Sequence, residues 1–407
     1  MQQTPAEFTK EMRKTHTIYM PDMLHYHNEL LKAAFHYAGY RLDIVPEYPK
    51  LTERVFRCVN SDYCSCAIGI VGNLLTMMED PRFQNGRIAF LEPQTGGVCR
   101  AGSYYDLIIR CLQTNGYGDV PVLSLNLHGR EKHSGFQING RMLFASIAAV
   151  CFSDLLMTLL LQIKPYEKRA GQTTAVYEKW IGRLSDSISH GRCLFHRKPL
   201  YEQIARDFRA IELDGAKLGR KRKVGIVGEI YVKFSPVGNH HLEHLLESND
   251  CEYRLGGFLN YCIFVVYTEM VSSKINGAGP AVKKAYEAAL AYLFRLQEEM
   301  NRVLEENRFS HDGTFRQLQS YARDIISDEY VIGDGWLTVG EAVDHIKNGY
   351  DRVLAVHPFG CLVSHVGTRG TLQQLHRLYP EARVHSIEYD YEQPDTLRES
   401  RILLAIH

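Results

Sequence analysis

Three cysteines lie far apart in the sequence, each where the chain turns or begins a helix, and thiols in such places can bind soft metal ions. Cys99 lies in the glycine-rich string TGGVCRAG of residues 95–102. Cys64 ends the string NSDYC, and Cys361 ends the string HPFGC. Cubane iron–sulfur clusters are held by cysteine thiolates, usually four, so three would leave one iron open to water, thiol or substrate oxygen. The pattern predicts one soft-metal site that the fold assembles from these three thiols.

The spacing alone leaves a second interpretation open, in which the three cysteines are unconnected thiols in turns. The chain has neither a ferredoxin-type cysteine run nor the paired C-x-x-C motifs of a zinc ribbon. Cys66 forms a C-x-C string with Cys64 and competes with it for the ligand role. A chain of 407 residues with no export signal should keep most of its ten cysteines reduced. Six further cysteines have apolar neighbours and are predicted to be small core residues: Cys58, Cys111, Cys151, Cys193, Cys251 and Cys262.

Other polar residues near these strings have a functional and a structural interpretation. Arg100 could steady a cluster's negative charge or bind an anionic substrate, or be a surface arginine. For Glu229, a helix amino-terminal charge is favoured over a general acid–base. For His365, a structural role is favoured over a hydrogen bond to a cluster sulfur or a role as proton donor. The string of residues 312–314, DGT, is predicted to be a turn rather than a nucleotide site.

An α/β pattern of strands and helices must position these residues. The segment of residues 24–35 is an amphipathic helix that Gly39 ends, and further helices are predicted at residues 103–113, near 240–247 and at 281–305. Cys99 then lies between the carboxyl end of a strand and the amino end of a helix, where α/β folds place their sites. Strands are predicted at residues 15–20, 41–45, 87–91, 121–125, 223–228, 352–356 and 382–387.

The order of these elements predicts an α/β fold of two Rossmann-like parallel-sheet lobes with a helical segment between them. The predicted first lobe covers residues 1–139 and the helical segment residues 140–220. The second lobe, with inserted helices, covers residues 221–407. No internal repeat is detectable in the letters.

The composition is that of a soluble globular protein, with 45% hydrophobic and 23% charged residues. The formal net charge is zero, so nothing favours a nucleic-acid partner or an acidic membrane surface. The longest apolar run, residues 145–161, is interrupted by Ser153 and Asp154 and is predicted to be a buried helix rather than a membrane span. No signal peptide is visible, so we expect a cytoplasmic protein.

Five strings, in order over residues 15–405, resemble segments of the large activator proteins of the 2-hydroxyacyl-CoA dehydratases. The superfamily also includes the dehydratase subunits and proteins with a double-cubane cluster. The strings are NSDYC with the later IVGN (residues 60–73), TGGVCRAGSY (95–104), PYE with Gly171 (165–171), KVGIVGEIYVK (223–233), and PFGCL with His365, Tyr389 and Asp390 (358–390).

The resemblance implies a [4Fe–4S]-type cluster on Cys64, Cys99 and Cys361, either single or part of a double-cubane cluster. It implies a separate ATP-hydrolysing iron–sulfur activase that delivers electrons of very low potential, and a dimer. The chain resembles the cluster-binding part alone, since it has no G-x-x-x-x-G-K-[ST] loop and no activator-type phosphate loop. An alternative is a cluster-dependent enzyme, a lyase or reductase, acting on an acyl-CoA or another small substrate at the open iron.

The sequence departs from the family pattern at the first ligand and near the third. Cys66 stands where the family usually has proline, and the alignment of motifs favours Cys64 as the ligand. His357 replaces a common glutamine, and Ser103 a common asparagine. These changes bear on partner contacts and active-site detail more than on the cluster.

Overall fold

The computed structural model describes residues 4–60, 62–84, 86–93, 99–125, 133–391 and 393–407. It is a mixed α/β protein with two four-stranded sheets, and every strand pair in both sheets is parallel. The predicted fold class, two Rossmann-like parallel-sheet lobes, is confirmed.

The first sheet has the strand order β2-β1-β3-β4. Its strands alternate with helices, as the predicted strand–helix–strand pattern requires. The strands are β1 (Thr17–Met20), β2 (Leu42–Ile44), β3 (Ile88–Glu92) and β4 (Val122–Ser124). The helices are α1 (Met12–Thr15), α2 (Asn28–Tyr37), α3 (Val55–Cys58), α4 (Ser65–Glu79) and α5 (Tyr104–Thr114), with short 3-10 helices at His25–His27 and Arg100–Ser103.

Three helices follow in the predicted helical segment, namely α6 (Gly140–Ile163), α7 (Gln172–Ser189) and α8 (Lys198–Arg209), with a 3-10 turn at Lys164–Tyr166. The apolar stretch Gly140–Tyr166 is long and apolar enough to cross a membrane, but 72% of its most apolar window is buried inside the protein. That burial is consistent with the core helix of a soluble protein, as predicted.

The second sheet has the order β6-β5-β7-β8. Its strands are β5 (Arg222–Gly228), β6 (Cys251–Leu255), β7 (Arg352–Pro358) and β8 (Arg383–Tyr389). The helices are α9 (Ile230–Phe234), α10 (Leu242–Ser248), α11 (Phe258–Ile275), α12 (Pro280–Glu306), α13 (Phe315–Ala322), α14 (Leu337–Lys347), α15 (Leu362–Ser364), α16 (Gly370–Leu378) and α17 (Asp395–Ile406), and a π-helical turn spans His365–Arg369.

The two sheets share one strand order, in which the first strand lies between the second and the third. In each sheet the order reverses between the first and third strands, and ligands of open α/β sheets bind at the carboxyl ends beside that reversal. The Cys99 segment follows β3, and Cys361 follows β7. The two cysteines therefore occupy corresponding places in the two lobes.

A single large cluster of buried apolar side chains extends from Phe8 to Ile406 through both lobes and the helices between them. The lobes are therefore packed together, and the predicted division at residues 139 and 220 stays a prediction. The six cysteines assigned to the core divide into two groups. Cys111, Cys151 and Cys251 are buried, whereas Cys58, Cys193 and Cys262 are only partly buried at the edge of the core.

Candidate functional site

The first candidate ligand, Cys64, lies where the two lobes meet. It is the N-cap residue of α4, with φ −55° and ψ 126°. The next residue, Ser65, is bonded to the second lobe twice. Its backbone N–H donates to the Phe359 carbonyl at 3.2 Å, and its hydroxyl donates to the Tyr389 carbonyl at 2.8 Å. These bonds hold the Cys64 turn against the carboxyl ends of β7 and β8.

Cys361 begins α15 directly after the turn that ends β7. Its thiol donates to the Ser364 hydroxyl at 3.2 Å, and the Ser364 backbone N–H points at the sulfur from 3.4 Å. The preceding Gly360 has φ +72°, a left-handed conformation that glycine adopts without strain. A Cβ at Gly360 would lie 3.3 Å from the Arg100 guanidinium and 3.5 Å from the Tyr63 carbonyl. The Cys361 turn therefore faces the segment that carries Cys64.

Cys99 directly precedes the 3-10 helix that leads into α5, and its backbone is extended. The predicted glycine turn falls largely at residues 94–98, which lie outside the described residues. The Cys99 side of this segment is connected to the Cys64 turn by Arg100, which donates to the Asp62 carbonyl at 3.1 Å. Its guanidinium also lies 5.6 Å from the centre of the Tyr63 ring. Arg100 is thus a positioning residue in this structure.

The three thiols are close enough to influence one another electrostatically. Burial, with smaller contributions from the nearby acidic groups of Asp334, Glu229 and Cys64, raises the pKa of Cys99 to about 12. Burial also raises the pKa of Cys361, and Cys64 and Glu229 add to that effect. The structure therefore brings all three predicted thiols to one place between the lobes.

Cys64 and Cys66 differ in their partners. The Cys66 thiol donates to the Glu229 carboxylate at 3.2 Å, and burial raises its pKa well above the ordinary value. The pKa of Cys64 is lowered, chiefly by its hydrogen-bond contact with the Cys66 side chain, whose single S–H proton serves either the Cys64 sulfur or the Glu229 carboxylate at any one time. The Tyr104 hydroxyl also bonds to Cys64 and lowers its pKa. Cys64 is therefore the thiol that ionises more easily, while Cys66 is engaged by a carboxylate.

Two acidic side chains lie beside the thiols. Glu229 is the N-cap of α9, where it accepts from the Val232 backbone N–H at 3.0 Å, so the favoured helix-end interpretation describes its position. Burial raises the pKa of Glu229, as it does that of Asp334. Sequence reasoning missed Asp334. The sequence signal that could have pointed to Asp334 is its position between Gly333 and Gly335, which is typical of a constrained turn. In the structure both glycines have positive φ.

His365 makes a structural contact, as favoured. Its Nδ1 lies 2.7 Å from the carbonyl oxygen of Cys361. His357 is buried on β7, where its Nε2 lies 2.5 Å from the Ser386 hydroxyl. The two imidazole centres are 5.4 Å apart, and the Glu388 carboxylate is near both.

The distances between the cysteine sulfurs bear on which metal group could fit. Among the described residues, the one group of His, Cys, Asp or Glu ligand atoms that all lie within 4.8 Å of one another is His357, His365 and Glu388. The three cysteine sulfurs are thus spread more widely than the roughly 3.8 Å that separates sulfurs on a single tetrahedral zinc, given Zn–S bonds of about 2.3 Å.

A surface cavity of about 550 Å³ adjoins the Cys64 segment. Tyr63, the neighbour of Cys64, forms part of its wall, together with Phe56 and Leu107. Arg57 and Arg110 supply positive charge to the same wall. The cavity is therefore suited to a ligand that combines an apolar part with an anionic group.

The other sequence candidates have structural roles. The Asp312 carboxylate accepts from the Arg254 guanidinium at 2.9 Å and from the Gly257 backbone N–H at 2.7 Å. Thr314 forms a capping box at the start of α13, so the string of residues 312–314 lies in an irregular segment that leads into this helix rather than in the predicted turn. Four other histidines each pair with an acidic side chain: His25 with Asp22, His27 with Asp154, His240 with Asp395 and His241 with Glu47.

No protein-family model matches the chain, and a search of curated proteins finds no significant match.

Proposed function

We propose that this protein binds a [4Fe–4S]-type cluster through Cys64, Cys99 and Cys361 and takes low-potential electrons from a separate ATP-hydrolysing iron–sulfur protein. The observation that carries the proposal is the meeting of three thiols, separated by 35 or more residues, at the junction of two lobes. The sequence resemblance to the activators and dehydratases of the 2-hydroxyacyl-CoA superfamily adds the expected partner.

The residues around the site fit such a group. Burial opposes the ionised forms of Cys99, Cys361 and Glu229, and a bound cationic metal group would favour those ionised forms. When bound, the cluster supplies one-electron transfer at low potential and Lewis acidity at an iron without a protein ligand. The chain itself holds the thiols on turns fixed by Ser65, Gly360 and Arg100 and limits the access of water to them.

Anaerobic reconstitution with iron and sulfide tests this assignment. We expect about four irons per chain for a single cubane, with a broad visible absorption that dithionite reduces. Cys64→Ser, Cys99→Ser and Cys361→Ser should each lower the iron content strongly. Cys66→Ser should retain it, because Cys66 is engaged by Glu229 rather than by the cluster.

Cys251→Ser is the matched control, since Cys251 is buried on β6 in the second sheet. Iron-free protein after reconstitution would refute the cluster, and equal loss in the control would indicate misfolding instead. If Cys66→Ser lost iron while Cys64→Ser kept it, the ligand assignment within the C-x-C string would be reversed.

A second candidate function is a cluster-dependent lyase or reductase, and the arginine-lined cavity beside Tyr63 favours it. An acyl-CoA would place its phosphates on Arg57 and Arg110 and its apolar part on Phe56. Coenzyme A itself is the probe for isothermal titration with the purified protein. Arg110→Gln should weaken its binding about tenfold through the loss of a charge-assisted hydrogen bond. Arg183→Gln, on α7, is the control, and unchanged binding by Arg110→Gln would exclude the cavity as the coenzyme site.

A further inference from the structure

Two histidines and a glutamate form a compact group on the second sheet, beside the thiol site but separate from it. His357 on β7 and Glu388 on β8 are register partners in neighbouring parallel strands. Register partners point to the same face of a sheet from strands about 4.8 Å apart. His365 in the π-helical turn completes the group, and π-helical turns are frequent at functional sites. One ligand atom from each residue lies within 4.8 Å of the other two.

Both imidazoles are oriented as metal-ligating histidines usually are, with one nitrogen on a backbone carbonyl. The Nδ1 of His365 lies 2.7 Å from the Cys361 carbonyl oxygen, and the Nδ1 of His357 lies 3.4 Å from the Pro358 carbonyl oxygen. Carbonyls accept only, so Nδ1 is the donor in both imidazoles and both Nε2 atoms are acceptors. The Nε2 of His357 accepts from the Ser386 hydroxyl at 2.5 Å, and a bound ion would displace that hydroxyl. The Nε2 of His365 lies 3.6 Å from a Glu388 carboxylate oxygen.

We propose that His357, His365 and Glu388 form a binding site for one divalent transition-metal ion of the zinc class. Two imidazoles and one carboxylate are a common ligand set for such ions and leave coordination positions open to water. The site does not depend on the cluster proposed for Cys64, Cys99 and Cys361.

In the metal-free protein, the Arg369 guanidinium occupies the position that the metal ion would take. Its guanidinium lies 3.2 Å from the Nε2 of His365 and 3.9 Å from the Glu388 carboxylate. The side chain is 49% exposed, so it can move into solvent when an ion binds. A cation at this position competes with the metal, and removing it should tighten metal binding.

Cobalt(II) and zinc(II) titrations of the full chain test the site. We expect one cobalt ion per chain with visible d–d bands and without the near-ultraviolet sulfur-to-cobalt band that a thiolate site would give. His365→Ala and Glu388→Gln should each weaken binding at least about tenfold, and Arg369→Gln should strengthen it. His376→Ala, on the neighbouring α16, is the control, since its Nε2 faces the Val384 carbonyl instead.

Two further outcomes separate this site from the cluster. Cys99→Ser should retain the sulfur-free cobalt spectrum, and Glu388→Gln should retain full iron content after reconstitution. Cobalt bound only with a sulfur charge-transfer band, or bound equally by wild type, His365→Ala and Glu388→Gln, would overturn the proposal. Weaker binding by Arg369→Gln would show that the guanidinium does not compete for the metal position and would also count against it.

Discussion

At the scale of single residues, the candidate site combines two thiols whose surroundings oppose ionisation, Cys99 and Cys361, with Cys64, whose surroundings favour it. The carboxyl groups that raise the pKa of Cys99, those of Asp334 and Glu229, come from the second lobe, and Glu229 also raises the pKa of Cys361. Thiols and carboxyl groups with raised pKa values stay protonated over a wider pH range, and a bound cation would favour their ionised forms.

A buried glutamate at the end of β3 also has surroundings that oppose its charged form. Glu92 is 2% exposed, burial raises its pKa from 4.5 to about 8, and its Oε2 has no hydrogen-bond partner among the described residues. The folded state therefore favours the protonated form. Its contribution to stability is fully present below about pH 4.5 and is lost as the pH rises toward 8.

Glu92→Gln should therefore raise the free energy of unfolding by roughly 3 kcal/mol near neutral pH and change it little near pH 4. Urea denaturation at the two pH values measures the difference. Glu178→Gln, at an exposed position of α7, is the control and should have little effect at either pH. A variant that loses stability at neutral pH would mean that the Glu92 carboxylate is needed in its ionised form.

At the scale of elements, the contact between α4 and the second lobe depends on a glycine. A Cβ at Gly69 would overlap the Tyr391 hydroxyl and lie 3.1 Å from the Tyr231 hydroxyl. Tyr391 follows β8 and Tyr231 lies on α9, so α4 approaches two elements of the other lobe at this point. Since Cys64 begins the same helix, the close approach also sets the position of the first candidate ligand.

Gly69→Ala should destabilise the protein by about 1 to 3 kcal/mol, because the added methyl group overpacks a buried contact. Gly182→Ala is the matched control, since Gly182 also lies inside a helix but would direct its Cβ into open space. The control should instead stabilise by about 0.5 to 1 kcal/mol through the better helix propensity of alanine. Thermal denaturation followed by circular dichroism compares the two, and equal shifts would contradict the packing argument.

Much of the secondary structure was predictable because alternating apolar strands and amphipathic helices have distinct periods. All seven predicted strands occur within two residues of their predicted limits. The strand β6 was missed, because Glu252 and Arg254 make its sequence look too polar for a buried strand. In the structure the Tyr166 hydroxyl donates to Glu252 at 2.5 Å and Arg254 pairs with Asp312, so tertiary partners compensate for these charges.

At the scale of the whole molecule, both sheets have the same strand order, and this repeat could not be detected in the amino-acid sequence. The same topology can be built from unrelated residues, since it needs only apolar strands and covering helices. The meeting of Cys64, Cys99 and Cys361 was expected from the resemblance, but Asp334 could not be assigned to the site. Asp334 lies far from the cysteines in sequence, and only the packing of the two lobes brings it close to them.

One buried carboxylate, in the helical segment between the lobes, contacts both lobes. Asp154 on α6 is 1% exposed and accepts from the His27 imidazole of the first lobe at 2.8 Å. It also accepts from the backbone N–H groups of Phe258 and Leu259, at the start of α11 in the second lobe, at 2.9 Å and 2.8 Å. The relative position of the lobes, and with it the distance between Cys64 and Cys361, depends on this junction.

Asp154→Ala should lower the free energy of unfolding by about 3 kcal/mol or more, because it leaves an imidazole and two backbone N–H groups buried without their acceptor. Asp186→Ala is the control, since Asp186 pairs with Arg192 on the surface of α7 at 2.7 Å; its effect should stay below about 1 kcal/mol. Differential scanning calorimetry measures both variants.

We expect one cooperative transition in the wild type and a lower, broader or divided transition in Asp154→Ala, since the lobes then lose the group that couples their unfolding. A wild-type profile for Asp154→Ala would show that the apolar core alone fixes the lobes.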